Sequence, residues 1–236
     1  TQNNLANAYS DRIKGERAEN IEEAIRHYEL ALKVYTLEAF PEDWAMTQNN
    51  LANAYSDRIK GERAENIEEA IRHYELALKV YTREAFPEKW ATTQNNLAEA
   101  QHRLGSLLVE QGRWYEGLKW LEKSLALRRQ GDDLQARADT IYQIARTHHL
   151  MGHLYEARTY YYDALRLYER LGDRRGLAAC KTGLGRLMVR TGFFEEALKE
   201  LAEAEQLYRE LGDEQRFNDV KELVELTNGF LEKQRT

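Results

Sequence analysis

Residues 1–46 read TQNNLANAYSDRIKGERAENIEEAIRHYELALKVYTLEAFPEDWAM; residues 47–92 repeat them with three changes, Leu37/Arg83, Asp43/Lys89 and Met46/Thr92, and a third copy begins at Thr93. A unit copied head to tail at this fidelity is not a self-contained domain, because its apolar face is buried only by the next copy. The chain therefore reads as a stack.

Within the unit, Leu5, Ala6 and Tyr9 are followed by Ala24, Tyr28 and Ala31. This small-large-small spacing lets two antiparallel helices approach closely. The pattern resembles the tetratricopeptide repeat (TPR), with Leu-small-x-x-Tyr on a first helix, A, and Ala-x3-aromatic-x2-Ala on a second, B. The resemblance implies an all-α fold, a right-handed α-solenoid of about five antiparallel helix hairpins with a C-terminal capping helix. Two prolines and 14 glycines agree with an all-helical chain.

Net charge is −6, and residues 1–92 hold 12 Lys/Arg against 17 Asp/Glu. An acidic front half argues against nucleic acid as partner, since phosphate binding needs a basic stripe. No run approaches the length of a membrane span and no leader segment opens the chain, so no membrane association is expected. The single cysteine, Cys180, excludes a disulfide framework and fits a reducing compartment, which makes the cytoplasm the expected location. Thr1 falls inside a first helix, without the Phe-Pro lead-in of the later copies, so the chain reads as a fragment of a longer array.

In the first unit, Asn3–Ile13 is expected as helix A with Leu5, Ala6 and Tyr9 inward. Asn20 with Glu23, and Asn66 with Glu69, read as capping boxes opening helix B. The inward face of helix B runs from Ile21 to Val34 and Tyr35, and Phe40-Pro41 ends it. After Trp90 the period changes: Gly112, Gly152 and Gly192 are 40 apart, as are Gly172-Asp173 and Gly212-Asp213. The six extra residues of the 46-mers are assigned to the A-to-B turn, Ser10–Asn20, expected to project as a polar loop. Asn95-Asn96-Leu97-Ala98 and Leu104-Gly105 lie seven residues apart, which predicts one over-long helix from about Pro87 to about Gln111.

The expected organisation is two 46-residue units over 1–92, three 40-residue units over 93–213, and a solvating end helix over 214–236. In the 40-mers, helices are expected at Trp114–Gln130, Leu134–Met151, Leu154–Leu171, Arg174–Thr191 and Phe193–Leu211, with glycine as the left-handed stop after helix B. The Leu-Gly-Asp ending is similar to the TPR subtype of bacterial peptide-sensing regulators and polarity adaptors. The Asn-Asn-Leu-Ala stretch is similar to that of kinesin light chains.

No motif supplies a nucleophile, a base and an orienting group together, so no enzyme activity and no cofactor are expected. Gly183-Leu-Gly185 lies inside a predicted helix with no strand before it, which favours close helix contact over a phosphate loop. His148, His149 and His153 cluster without a third ligand at metal-like spacing, and no metal site is assigned. Cys180 reads as a small helix-contact residue, and Tyr160, Tyr161, Tyr162, Trp114 and Trp120 mostly as core.

In TPR arrays helices A line the concave face, and in the subtypes that this chain resembles asparagines flanking the Leu-small pair hold the backbone of an extended peptide. The resemblance places Asn4, Asn7, Asn50, Asn53 and Asn96 in that role, where a carboxamide can donate and accept together. The same face of the 40-mers carries Arg103, Ser106, Gln143, Arg146, Arg186 and Arg190, which departs from asparagine and suits carboxylates or phosphates. Asp11, Asp57 and Glu110 are expected at the rim. The chain thus reads as a non-enzymatic scaffold holding a peptide or protein segment, acidic where the arginines face it. Open alternatives are a structural array that self-associates through its N-terminal repeat face, including an engineered fusion, and the sensor arm of a larger signalling protein.

Overall fold

Proline fixes the start of a helix that cannot begin earlier, and Phe40-Pro41 and Phe86-Pro87 do so: each phenylalanine has a non-helical backbone and each proline opens a helix whose first turn carries acid. In the computed structural model, residues 1–10, 12 and 15–235 are described, the side chain of Arg235 excepted. They form eleven α-helices in two compact units, Thr1–Gly131 and Asp132–Thr236.

The first unit holds α1 (Gln2–Ser10), α2 (Arg17–Leu32), α3 (Pro41–Asp57), α4 (Arg63–Ala77), α5 (Pro87–Glu110) and α6 (Trp114–Arg128). Each helix lies against the next, and α1 also touches α3, so A helices adjoin A helices. Leu51 of α3 joins Ala6 of α1 and Ile21, Ala24 and Tyr28 of α2 in one buried cluster. Removing such a side chain from water stabilises by about 1.5–3 kcal/mol. Leu5, the same position in the first copy, is 43% exposed where Leu51 is 1% exposed. The expectation that Leu5 points inward fails: α1 packs against α2 and α3, and neither covers that side chain.

Three further expectations are corrected here. Asn20 and Asn66 do not cap helix B, which begins three residues earlier at Arg17 and Arg63 with Glu16 and Glu62 as N-caps. Against α5/α6, two of the six extra residues lengthen the A-to-B loop and four add a turn to the start of helix B. Asn66 is buried inside α4 and its Nδ2 donates to the Lys60 carbonyl at 2.8 Å, so it ties down the loop instead. Asn20 donates likewise to the Arg12 carbonyl at 3.3 Å. Glu23 and Glu69 pair with Arg26 and Arg72 one turn on. Helix B also stops at Leu32 and Ala77, well before the Phe-Pro pair, which leaves Val34 exposed and Tyr35 edge-on to Phe40. Asp11 lies outside the described residues, as do Lys14 and Ile13, the expected end of helix A.

The second unit holds α7 (Leu134–Met151), α8 (Leu154–Leu171), α9 (Arg174–Arg190), α10 (Phe194–Glu210) and α11 (Glu214–Arg235). Here α7 touches α9, and α9 touches α11, which again makes a layer of A helices. Gly172 stops α8 at φ +67°, and Asp173 then accepts from the amides of Arg175 and Gly176, both at 3.0 Å, to open α9. Cys180 is fully buried, and burial pushes its thiol pKa up. A Cβ on Gly183 would meet the Tyr161 ring at 2.5 Å, and one on Gly185 would meet Leu201 at 2.6 Å. Both glycines therefore serve close helix contact.

Candidate functional site

In the first unit the asparagines are partly consumed by the fold. Asn7 Oδ1 accepts from the Tyr28 hydroxyl at 2.7 Å and from Asn50 Nδ2 at 3.2 Å, and Asn53 Oδ1 accepts from the Tyr74 hydroxyl at 2.6 Å. The carbonyl half of each carboxamide is thus committed to helix B or to the neighbouring repeat. Asn53 is exposed, and what it leaves toward solvent is its N–H donors. Asn4 is exposed and Asn96 half-buried. Arg103 turns back onto α3, where its Nη1 donates to Ser56 Oγ at 3.0 Å. Asp57 pairs with Arg17 at 3.6 Å.

The second unit contains a cavity of about 600 Å³ against the faces of α7, α9 and α11. Gln143 and Arg146 of α7 and Arg186 of α9 line it, together with Arg216 of α11. Arg146 Nη1 donates to Gln143 Oε1 at 3.1 Å, which fixes the guanidinium along the helix. Arg190 stands outside the cavity and donates from Nη1 to the His149 carbonyl at 3.2 Å. The structure thus brings Gln143, Arg146 and Arg186 together and leaves Arg190 outside that lining.

The floor is aromatic. Tyr142, Tyr161 and Tyr208 face the cavity, and Tyr161 and Tyr208 are 2% and 3% exposed. Burial raises the pKa of Tyr161, with Tyr142 adding to it and Arg146 and Arg186 opposing, so its hydroxyl stays a donor at neutral pH. Burial lowers the pKa of His149, reinforced by Arg190 and Arg186, which keeps that ring neutral and leaves the positive charge to the arginines. Arg216 and Tyr208 were invisible as site residues from sequence. The first sits on the helix read as a solvating end, which it is only on its outer face: its inner face buries Val220 and Thr227 and closes the cavity.

Elsewhere, His148 stacks on Tyr160 with centroids 5.4 Å apart, and its Nδ1 lies 3.4 Å from that of His153. Among the described residues no group of three or more His, Cys, Asp or Glu is placed to hold a metal ion, and no helix is long and apolar enough to cross a membrane.

Sequence comparison agrees with this hairpin geometry: tetratricopeptide repeat profiles match residues 44–85, 96–154 and 136–210. The chain belongs to the tetratricopeptide repeat family. No curated protein matches it. Among solved structures, this TPR chain is similar to the apo form of RapI, with a TM-score of 0.61 at 15% identity over 96% of this chain and 76% of that one. It is also similar to a signal transduction ATPase with numerous domains (STAND) from Pyrococcus horikoshii that carries a tetratricopeptide repeat sensor, with a TM-score of 0.59 at 16% identity over 96% of this chain. The match spans only 32% of that STAND protein's length. A kinesin-light-chain-type protein of Podosopora anserina with nearly identical TPR-like repeats gives a TM-score of 0.51 at 18% identity over 89% of this chain and 94% of its own. At these identities the likeness carries the α-solenoid fold alone. What the site offers chemically is donors and positive charge around a cavity, an arrangement for holding a ligand.

Proposed function

We propose that this TPR chain is a non-catalytic interaction scaffold that holds a peptide or protein segment against its A helices, with an acidic group of that segment seated in the second unit. The observation that carries the reading is the cavity lined by Gln143, Arg146 and Arg186, three residues that share the A-helix face. A volume of about 600 Å³ falls in the range of pockets that enclose small ligands or a few side chains. In the first unit, Asn4, Asn7, Asn50, Asn53 and Asn96 would serve as N–H donors to peptide carbonyls, because the oxygens of Asn7 and Asn53 are engaged by tyrosine.

The test is a peptide-display selection against the whole chain, followed by calorimetry on the selected peptides. Acidic sequences should be enriched, and the Arg146→Ala/Arg186→Ala double variant should weaken them by at least about tenfold, the loss expected for charge-assisted hydrogen bonds. A selection that yields no acidic preference, or peptides whose affinity the double variant leaves intact, would remove this reading.

A further inference from the structure

Tyrosine hydroxyls on the B helices of this protein have regular partners on the A helices, and the second unit lacks those partners in two places. Tyr28, Tyr74 and Tyr161 each stand four residues after the small residue of helix B, at Ala24, Ala70 and Ala157. Tyr28 and Tyr74 donate to Asn7 and Asn53. The position of Asn53, two residues after Leu51, is taken in α7 by Arg146, two residues after Ile144. An arginine accepts nothing. Tyr161 therefore keeps its hydroxyl without an acceptor among the described residues.

The second case follows the 40-residue period. Tyr168 donates to Asp139 Oδ1 at 2.8 Å, whereas Tyr208, 40 residues on, meets Ala179 in place of the aspartate. Its hydroxyl too has no hydrogen-bond partner among the described residues, although the residue is 3% exposed. Among the described residues the side-chain atoms that are both buried and unpaired are Gln101 Oε1 and Ser106 Oγ, so the hydroxyls of Tyr161 and Tyr208 are not sealed in by the fold but open to the cavity that both residues line. Both tyrosines line the one cavity that also receives Arg146, Arg186 and Arg216. Small residues make the room: Ala179 and Gly183 lie on the same face of α9, where Gly183 alone clears the Tyr161 ring.

We propose that this cavity is an oxyanion receptor in which the hydroxyls of Tyr161 and Tyr208 donate to the oxygens of a carboxylate or phosphate, and Arg146, Arg186 and Arg216 neutralise its charge. The proposal deepens the scaffold reading and rests on it. It also gives α11 a second role, since that helix supplies Arg216 and, beside it on the wall, Asp219. Arg216 is held loosely by Asp213, with Nε 3.8 Å from Oδ2, and its guanidinium carbon lies 5.9 Å from the centre of the Tyr208 ring. Three guanidinium groups against the single carboxylate of Asp219 leave the cavity net positive. Asp219 is positioned to accept from an N–H next to the oxyanion, which suits an acidic residue within a peptide better than a free ion.

The experiment is an NMR titration of the whole chain with inorganic phosphate and, separately, with acetylated and amidated five-residue peptides whose central residue is glutamate or phosphoserine. Comparing the three distinguishes carboxylate from phosphate, and a peptide-borne from a free oxyanion. Saturable shifts are expected on α7, α9 and α11. Arg216→Ala should weaken binding about tenfold and Tyr208→Phe about fivefold, the latter by deleting one hydroxyl from an otherwise intact ring. Tyr208→Phe should leave the urea midpoint unchanged or raised, because the deleted group has no partner in the fold. Tyr168→Phe should do the reverse, lowering the midpoint through loss of the Asp139 bond while leaving affinity intact. Absence of saturable binding by all three probes, or binding unchanged in both Tyr208→Phe and Arg216→Ala, overturns the receptor. A display-selected peptide that is lost in Arg146→Ala/Arg186→Ala yet kept in those two variants would preserve the scaffold and overturn only the oxyanion site.

Discussion

The 46-residue hairpins and the 40-residue hairpins solve the same contact problem with different side chains. Tyr55 of α3 stacks on His73 of α4 with centroids 5.5 Å apart and planes 10° off parallel. In the second unit the equivalent slot holds His148 on Tyr160, 5.4 Å apart and 6° off parallel. The rings have changed helices and the stack has survived. The tyrosine–asparagine bond has not: Tyr74 is closed by Asn53, while Tyr161 faces Arg146. A repeat fold thus fixes which positions meet and leaves their chemistry free, and a tyrosine hydroxyl is left without a protein partner where the residue opposite it has been exchanged.

The largest expected effect sharpens the stacked slot. His73 is buried, its Nδ1 lies 2.5 Å from Gln48 Oε1, and burial, helped by Arg72, lowers its pKa from 6.5 to about 4. Between those two values the unfolded chain binds a proton that the folded chain refuses. Stability therefore falls as pH drops from 6.5 towards 4, by up to about 3 kcal/mol at the lower end. Urea midpoints measured across that interval should show the decline, and His73→Phe, which keeps a ring in the slot, should flatten it. An undiminished slope in the variant would assign the titration to another group.

A smaller effect separates the two kinds of A-to-B connection. The 40-mers turn at left-handed glycines, Gly152 and Gly192; the long connection of the second copy has one too, Gly61, but is also fastened by Asn66 to the Lys60 carbonyl and by Arg58 to Glu22 at 2.7 Å. Asn66→Ala should cost about 1–2 kcal/mol, the loss of a buried hydrogen bond with its carbonyl left unpaired. Hydrogen exchange should quicken over 58–62 while α7–α11 stay protected. Exchange unchanged in that loop would mean that the ion pair alone holds it.

Much of this architecture was legible because its determinants are local. The limits of α7 and α8 coincide with the expected Leu134–Met151 and Leu154–Leu171, since Gly152 and Gly172 adopt positive φ and stop the helix wherever they stand. The single helix α5, Pro87–Glu110, follows from a proline at its start and a heptad offset that preserves its inner face. Asn20 and Asn66 misled for the complementary reason: an asparagine three residues ahead of a glutamate has the local form of a cap, and only the loop folded over it shows that it serves carbonyls. The cavity was half legible. Gln143, Arg146 and Arg186 follow from the resemblance, which puts that face of helices A on the concave side, but Tyr208 and Arg216 line the cavity beside what Ala179 and Gly183 leave vacant, and absent bulk has no pattern of its own along a chain.

The smallest expected effect concerns the few positions at which the two long copies disagree. Lys89 replaces the aspartate of the first copy, and its Nζ reaches Glu42 Oε1 at 2.5 Å while lying 5.4 Å from the centre of the Tyr81 ring. Both charged groups are well exposed, so restoring the acid with Lys89→Asp should cost no more than about 1 kcal/mol despite placing like charges together. Salt distinguishes the two contacts that the lysine makes. If the ion pair dominates, the cost should shrink in 0.5 M sodium chloride, where the Debye length falls to roughly 4–5 Å. If the same difference in urea midpoint persists at high salt, the cation resting on the Tyr81 and Phe86 rings is the larger contribution. In that case the copies differ at this position in how they cover an aromatic surface rather than in how they pair charge.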